Sequence, residues 1–185
     1  MSRFHKKIRK MAYRSLRNKN VDIIEHNYAK EISAGQVILE SGKQYSADVI
    51  FLAVGVTPST IFKESGLPTG PDGGLLVNKF LQSTEHPEIL GGGDCIYFQD
   101  QPLDKVGVYA VRQNPILYHN LMATLEGGEL QAFDPGGSYL LIFNLGDGKG
   151  ILGKNSIMFD GKLAFMIKDY IDRKFMREFQ AMEND

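Results

Sequence analysis

Gly91-Gly92-Gly93-Asp94 is the stretch of this 185-residue chain whose residue types point most directly to chemistry. Glycines carry no Cβ, so their backbone N–H groups can come close to a phosphate-bearing ligand. A carboxylate just after them can accept hydrogen bonds from ligand hydroxyls. The same residues equally suit a tight turn capped by Asp94, and by themselves they leave both readings open. Cys95 follows at once and is the only cysteine. That excludes an intramolecular disulfide and any Cys-only zinc site, and it fits a reducing compartment. We read Cys95 as structural rather than redox-active. His5, His26, His86 and His119 fall on different elements without metal-ligand spacing, so no metal site is assigned. There is no G-x-S-x-G elbow and no P-loop, and Asp100 and Asp104 do not form a paired-carboxylate site. No catalytic side chain is assigned.

The elements that must position Asp94 can be read from patterning. Residues 89–95 read as a strand running into the glycine bend, and a helix follows over roughly 107–126. Pro115 inside it marks either N1 of a later helix capped by Asn114 or a kink in one longer helix. Upstream, Phe4, Ile8, Met11 and Leu16 recur at helical spacing among Lys6, Lys7, Arg9, Lys10 and Arg14. Val21–Ile24 reads as a short strand. Residues 29–33 and 36–40 flank a turn at Ala34-Gly35. Val49–Val54 is a continuous apolar run that suits a strand buried on both faces. Residues 57–74 read as a connection with one helical turn near 60–65, and Leu75–Asn78 as a strand. Residues 138–145 and 150–158 pair around Asp147-Gly148. The final element, about 161–180, is an amphipathic helix. Its stripe is Leu163, Ile167, Tyr170, Ile171, Phe175 and Phe179, with i,i+4 pairs Lys168/Asp172, Asp169/Arg173 and Lys174/Glu178.

Composition agrees with a folded chain: 43% of residues are hydrophobic and 23% charged. No apolar run approaches the ~18 residues that span a bilayer, and no signal-peptide pattern follows Met1. The net charge of −1 hides an asymmetry. Eight of the 21 basic residues, and none of the 22 acidic ones, lie within the first 21 positions. Such a block can serve a nucleic acid or an anionic membrane, but no RNA-binding signature accompanies it. We read it as the solvated face of a helix and expect no nucleic-acid partner.

Taken together, these features resemble the C-terminal portion of FAD-dependent pyridine nucleotide-disulfide oxidoreductases. Ser46-Ala47-Asp48-Val49-Ile50-Phe51-Leu52-Ala53-Val54-Gly55-Val56-Thr57-Pro58 is similar to the segment where the NAD(P)H domain's β-meander ends and the chain returns to the flavin domain. Gly74-Leu75-Leu76-Val77-Asn78, then His86-Pro87-Glu88-Ile89-Leu90 and Gly92-Gly93-Asp94-Cys95, resemble the second flavin-binding motif. Gly107–Pro115, leading to His119-Asn120-Leu121, resembles the helix that points at the flavin ring. The tail resembles the type II NADH dehydrogenase and selenide dikinase-associated branch.

The resemblance implies a mixed α/β fold with three parts. Residues 1–58 would be the end of the NAD(P)H-binding domain, 59–127 the end of the FAD-binding domain, and 128–185 a hairpin with an amphipathic helix. It implies that Asp94 bonds a ribityl hydroxyl and that the Gly93 backbone lies toward the pyrophosphate. It also implies that the amides near Tyr109, Ala110 and Val111 face the ring, with Gln113 either at the ring edge or simply packed. The implied cofactors are FAD and NAD(P)H, and the implied acceptor is a quinone or another small molecule. In membrane-bound members the C-terminal helices sit on the bilayer, so residues 161–180 are a candidate for peripheral contact. That places the protein in the cytoplasm or on the inner face of the membrane. Residues 1–60 hold no strand–G-x-G-x-x-G–helix unit, so the chain is expected to be a C-terminal part, inactive alone. The helix over 1–19 is then expected to find a substitute or intermolecular partner, including a second copy. The rival reading is a non-catalytic dimerisation or membrane-docking module with a vestigial flavin motif.

Overall fold

The computed structural model describes residues 4–182. It is a mixed α/β structure that divides into two compact units, residues 1–51 with 138–185, and residues 52–137.

In the first unit, α1 spans Lys6–Arg17 and is capped by His5, whose Nδ1 accepts the Lys7 N–H at 3.2 Å. Of the apolar face read from the sequence, Phe4, Ile8 and Met11 pack, while Leu16 is exposed. Ile8 and Ala12 are buried in a cluster with Ile151, flanked by Phe4, Met11, Phe143 and Met158. The Phe4 and Phe143 rings meet edge to face at 5.2 Å. Of the substitute or intermolecular partners expected for this face, the structure shows one within the chain, the C-terminal sheet. Residues 1–3 of that stretch lie outside the described residues.

β1 (Ala29–Ser33), β2 (Gln36–Leu39) and β3 (Gln44–Ser46) form an antiparallel meander with the expected turn at Ala34-Gly35. On either side of this meander two strand expectations fail. Val21–Ile24 is irregular, with Val21 and Ile24 exposed. Val49–Val54 joins no described ladder, and Phe51 and Val54 are about nine-tenths exposed. Apolar β-propensity makes a strand only where neighbours pair with it.

The tail is a three-stranded antiparallel sheet rather than one hairpin. β6 (Leu141–Asn144) and β7 (Gly150–Lys154) flank the expected turn, and a second turn at Asn155-Ser156 leads to β8 (Ile157–Gly161). Helix α4 (Lys162–Met182) carries the Lys168–Asp172 pair and an Arg173–Asp169 pair at 2.8 Å. Among its described side chains Ala164 is the buried one, while Leu163, Tyr170, Ile171 and Phe175 of the expected apolar stripe are exposed. The side chains of Phe179 and Glu178 lie outside the described set.

In the second unit, the short helix α2 (Ile61–Glu64) falls where one turn was expected. β4 (Leu75–Val77) pairs in parallel with β5 (Ile96–Phe98). The expected strand over 89–95 is instead a single bridge from Leu90 to Gln82, followed by a 3-10 turn at Gly93–Cys95. Leu75, Val77, Leu81, Ile96, Phe98 and Phe133 form the core. Helix α3 runs unbroken from Gly107 to Glu126 with Pro115 inside, and ends at Gly127 in the left-handed region.

Candidate functional site

The Gly93–Cys95 turn sits against α3, and one side chain fastens them. Gln113 is buried, and its Oε1 accepts the Gly93 N–H at 2.5 Å. This bond gives Gln113 an internal role in holding the turn on α3. Gly93 has φ +72°, a conformation that favours glycine. Asp94 is half-buried beside it, and Cys95 donates its Sγ–H to the Gly92 carbonyl at 3.0 Å. Gly93, Asp94, Tyr109 and Gln113 line one narrow crevice, together with Lys105.

Helix α3 begins at Gly107, where the sequence reading placed its start. Val106 occupies the N-cap and offers no side-chain acceptor. The Tyr109 N–H donates to the Val106 carbonyl at 3.1 Å, and Ala110 and Val111 lie further along the helix. The N–H groups that helix geometry leaves without intrahelical acceptors are thus those of Gly107 and Val108. Ala110 sits against the turn, since a Cβ added to Gly93 would lie 3.6 Å from its Cβ. Val111 points outward and is exposed.

Gly107 opens the segment read as the flavin-facing helix, but no role of its own was assigned to it in the sequence. A Cβ added there would meet nothing within 4 Å, and its φ is not positive. Neither packing nor backbone conformation requires glycine at this position. The donor and acceptor set suits a flavin nucleotide: the half-buried Asp94 would accept from hydroxyls, and the first-turn amides would face a partly anionic ring. Lys105 was also missed. Its ammonium donates to the Ile96 carbonyl and pairs with Asp72 at 2.9 Å. Burial works to raise the Asp72 carboxyl, but the hydrogen bonds from Lys105 and Gly74 and the Lys105 charge outweigh it and hold the carboxyl below its ordinary value.

Residues Gly148–Gly153 spell G-x-G-x-x-G, but they form a turn and β7 of an antiparallel sheet. They do not lie between a strand and a helix, so they make no phosphate cradle. Among the described residues no group of His, Cys, Asp or Glu is arranged to hold a metal ion.

The mixed α/β fold resembles the nucleotide-binding fold of FAD/NAD oxidoreductases. The chain belongs to the pyridine nucleotide-disulphide oxidoreductase family, whose model matches residues 1–123. The family is in general FAD- and NAD(P)H-dependent.

Among curated proteins, the chain is 29% identical over 134 residues to Ferroptosis suppressor protein 1 of Xenopus laevis, covering 71% of this chain and 35% of that protein. It is 37% identical over 71 residues to Apoptosis-inducing factor 3 of Mus musculus, covering 38% and 12%. The chain thus spans about a third of the length of the first of these relatives. Among solved structures it is similar to the sulfide:quinone oxidoreductase of Aquifex aeolicus, with TM-score 0.66, 16% identity, and coverage of 91% and 44%. It is also similar to a NAD-dependent persulfide reductase of A. fulgidus, with TM-score 0.61, 23% identity, and coverage of 83% and 29%.

Proposed function

We propose that this chain is the flavin-facing C-terminal part of an FAD-dependent NAD(P)H oxidoreductase that passes electrons to a quinone or another small acceptor. In this reading residues 1–58 end the NAD(P)H-binding domain, 59–127 end the FAD-binding domain, and 128–185 form the tail. The observation that carries the reading is the fastening of the Asp94 turn to α3 beside the open amides at Gly107. Asp94 orients the ribityl chain by accepting its hydroxyls. The first-turn N–H groups and the positive helix end stabilise negative charge on the ring. A bound flavin would supply hydride acceptance and onward electron transfer. The chain's own groups bind, orient and tune it.

The quinone acceptor draws support from the sulfide:quinone oxidoreductase likeness, which is one of fold. The placement in the type II NADH dehydrogenase and selenide dikinase-associated branch rests on the tail pattern. The apolar residues that α4 leaves exposed, Leu163, Met166, Tyr170, Ile171, Phe175 and Met176, support contact of this helix with a membrane surface. Among the described residues no helix is long and apolar enough to cross a membrane.

Equilibrium dialysis against FAD tests the proposal. The chain should bind FAD saturably, and Asp94→Ala should weaken binding roughly tenfold or more, the scale of one lost charge-assisted hydrogen bond. The chain alone should not oxidise NADH. Absence of saturable binding, or equal binding by Asp94→Ala, would overturn the reading of the site. Sustained NADH oxidation would overturn the claim that the chain is only a part of the enzyme.

A further inference from the structure

We propose that Lys105 is a positioning residue that sets the distance between Asp94 and the first turn of α3. This rests on the flavin reading for its consequence, but not for its geometry. Lys105 stands two residues before Gly107, where α3 begins. Its ammonium reaches back across the 99–104 loop to the carbonyl of Ile96, two residues beyond Asp94. The same ammonium pairs with Asp72 Oδ2 at 2.9 Å, and Asp72 Oδ1 accepts the Gly74 N–H at 2.9 Å, just before β4. One cation therefore ties together the entry to β4, the first residue of β5 and the start of α3.

The loop it spans has no helix or strand of its own. Gln113 fixes the Asp94 turn to the second turn of α3 through Gly93. Lys105 fixes the opposite side of that turn, through Ile96, to the chain entering the first turn. Two fastenings on either side of Asp94 define an orientation that one leaves free to pivot. The chemistry supports a geometric role. The Lys105 side chain is only 18% exposed. A partly buried ion pair adds little net stability over an apolar pair of similar size, because desolvation offsets the attraction. What an ammonium offers is several directed donors on one atom. Lys105 also lines the crevice that holds Asp94, Tyr109 and Gln113, so displacing it displaces the wall of the proposed site.

Hydrogen exchange of the whole chain, read by mass spectrometry, tests this with Lys105→Met and Lys105→Arg. Lys105→Met should speed exchange roughly tenfold or more in residues 93–98 and 104–109, the scale of one lost charge-assisted hydrogen bond. Exchange in β6–β8 should stay unchanged, and Lys105→Arg should recover much of the protection. Asp72→Asn, which preserves shape, should give an intermediate effect in the same segments, and it serves as the test if Lys105→Met does not fold. Unchanged exchange, or a rise spread evenly over both units, would overturn the proposal. FAD dialysis separates the two claims. If the wild-type chain binds no FAD, the flavin reading falls while the exchange data still decide what Lys105 holds. If Lys105→Met loosens the turn yet binds FAD as tightly as wild type, Lys105 does not position the site.

Discussion

Gln113 Oε1 accepts the Gly93 N–H at 2.5 Å from a side chain that is almost wholly buried. The bond joins two residues twenty positions apart and sets the glycine turn against α3. Replacing Gln113 with Leu keeps the bulk and removes the acceptor. A buried N–H without a partner costs about 1–3 kcal/mol. Urea unfolding should show a loss of that size, and FAD affinity should fall with it.

Asn120, seven residues along α3, is a second fastening. Its Nδ2 donates to the carbonyls of Phe80 and Gln131, both at 2.8 Å, and its Oδ1 accepts the Gln131 N–H at 2.8 Å. The side chain has no exposed surface. Asn120→Leu leaves three backbone groups to find water or other partners, so we expect a loss of about 3 kcal/mol or more in denaturant unfolding. Asn120→Asp keeps the acceptor for the Gln131 N–H but turns a buried carboxylate oxygen on two carbonyls, so it should cost at least as much.

The Asp72–Lys105 pair makes a signed prediction about pH. The folded carboxyl titrates below its ordinary value, so the unfolded chain binds its proton first as pH falls. The pair's contribution to stability is present above the unfolded pKa, about 3.9, and is lost as pH falls through the lower folded value. Asp72→Asn should flatten the acid limb of a stability–pH curve and lower stability near neutrality. A steeper acid limb in the variant would contradict this.

The seam between α1 and the C-terminal sheet should be sensitive to volume on both sides. Ile8 is 4% exposed, and a Cβ added to Gly153 would lie 2.3 Å from its Cδ1. Ile8→Ala should cost about 2–5 kcal/mol by leaving a cavity. Gly153→Val should also destabilise, by about 1–3 kcal/mol of overpacking. The double variant Ile8→Ala/Gly153→Val should lose less than the two single losses combined, because each change relieves the other's misfit. Thermal unfolding of the four proteins completes the cycle.

Much of this was legible locally. Helical periodicity identified α1, α3 and α4, and glycine pairs with turn chemistry placed Ala34-Gly35 and Asp147-Gly148. Asp94 stood out because a carboxylate behind three glycines is a local signal. What escaped depends on tertiary approach. Lys105 and Asn120 are ordinary residues until the fold brings carbonyls to them. Val49–Val54 shows the converse, since strong strand propensity produced no strand without a ladder partner among the described residues. The α4 stripe misled for a steric reason. A Cβ on Gly150 would lie 3.1 Å from the Phe165 nitrogen, so the helix backbone comes directly onto β7 and the buried position suits Ala164. Larger apolar residues are turned outward.

The central claim is that the Asp94 turn and the start of α3 together hold a flavin. The measurement that tests it most directly is hydrogen exchange of the chain with and without saturating FAD. Bound flavin should slow exchange only in residues 92–95 and 106–109, and Asp94→Ala should abolish that protection. Protection that instead falls on α1 or on β6–β8, or that persists in Asp94→Ala, would contradict it.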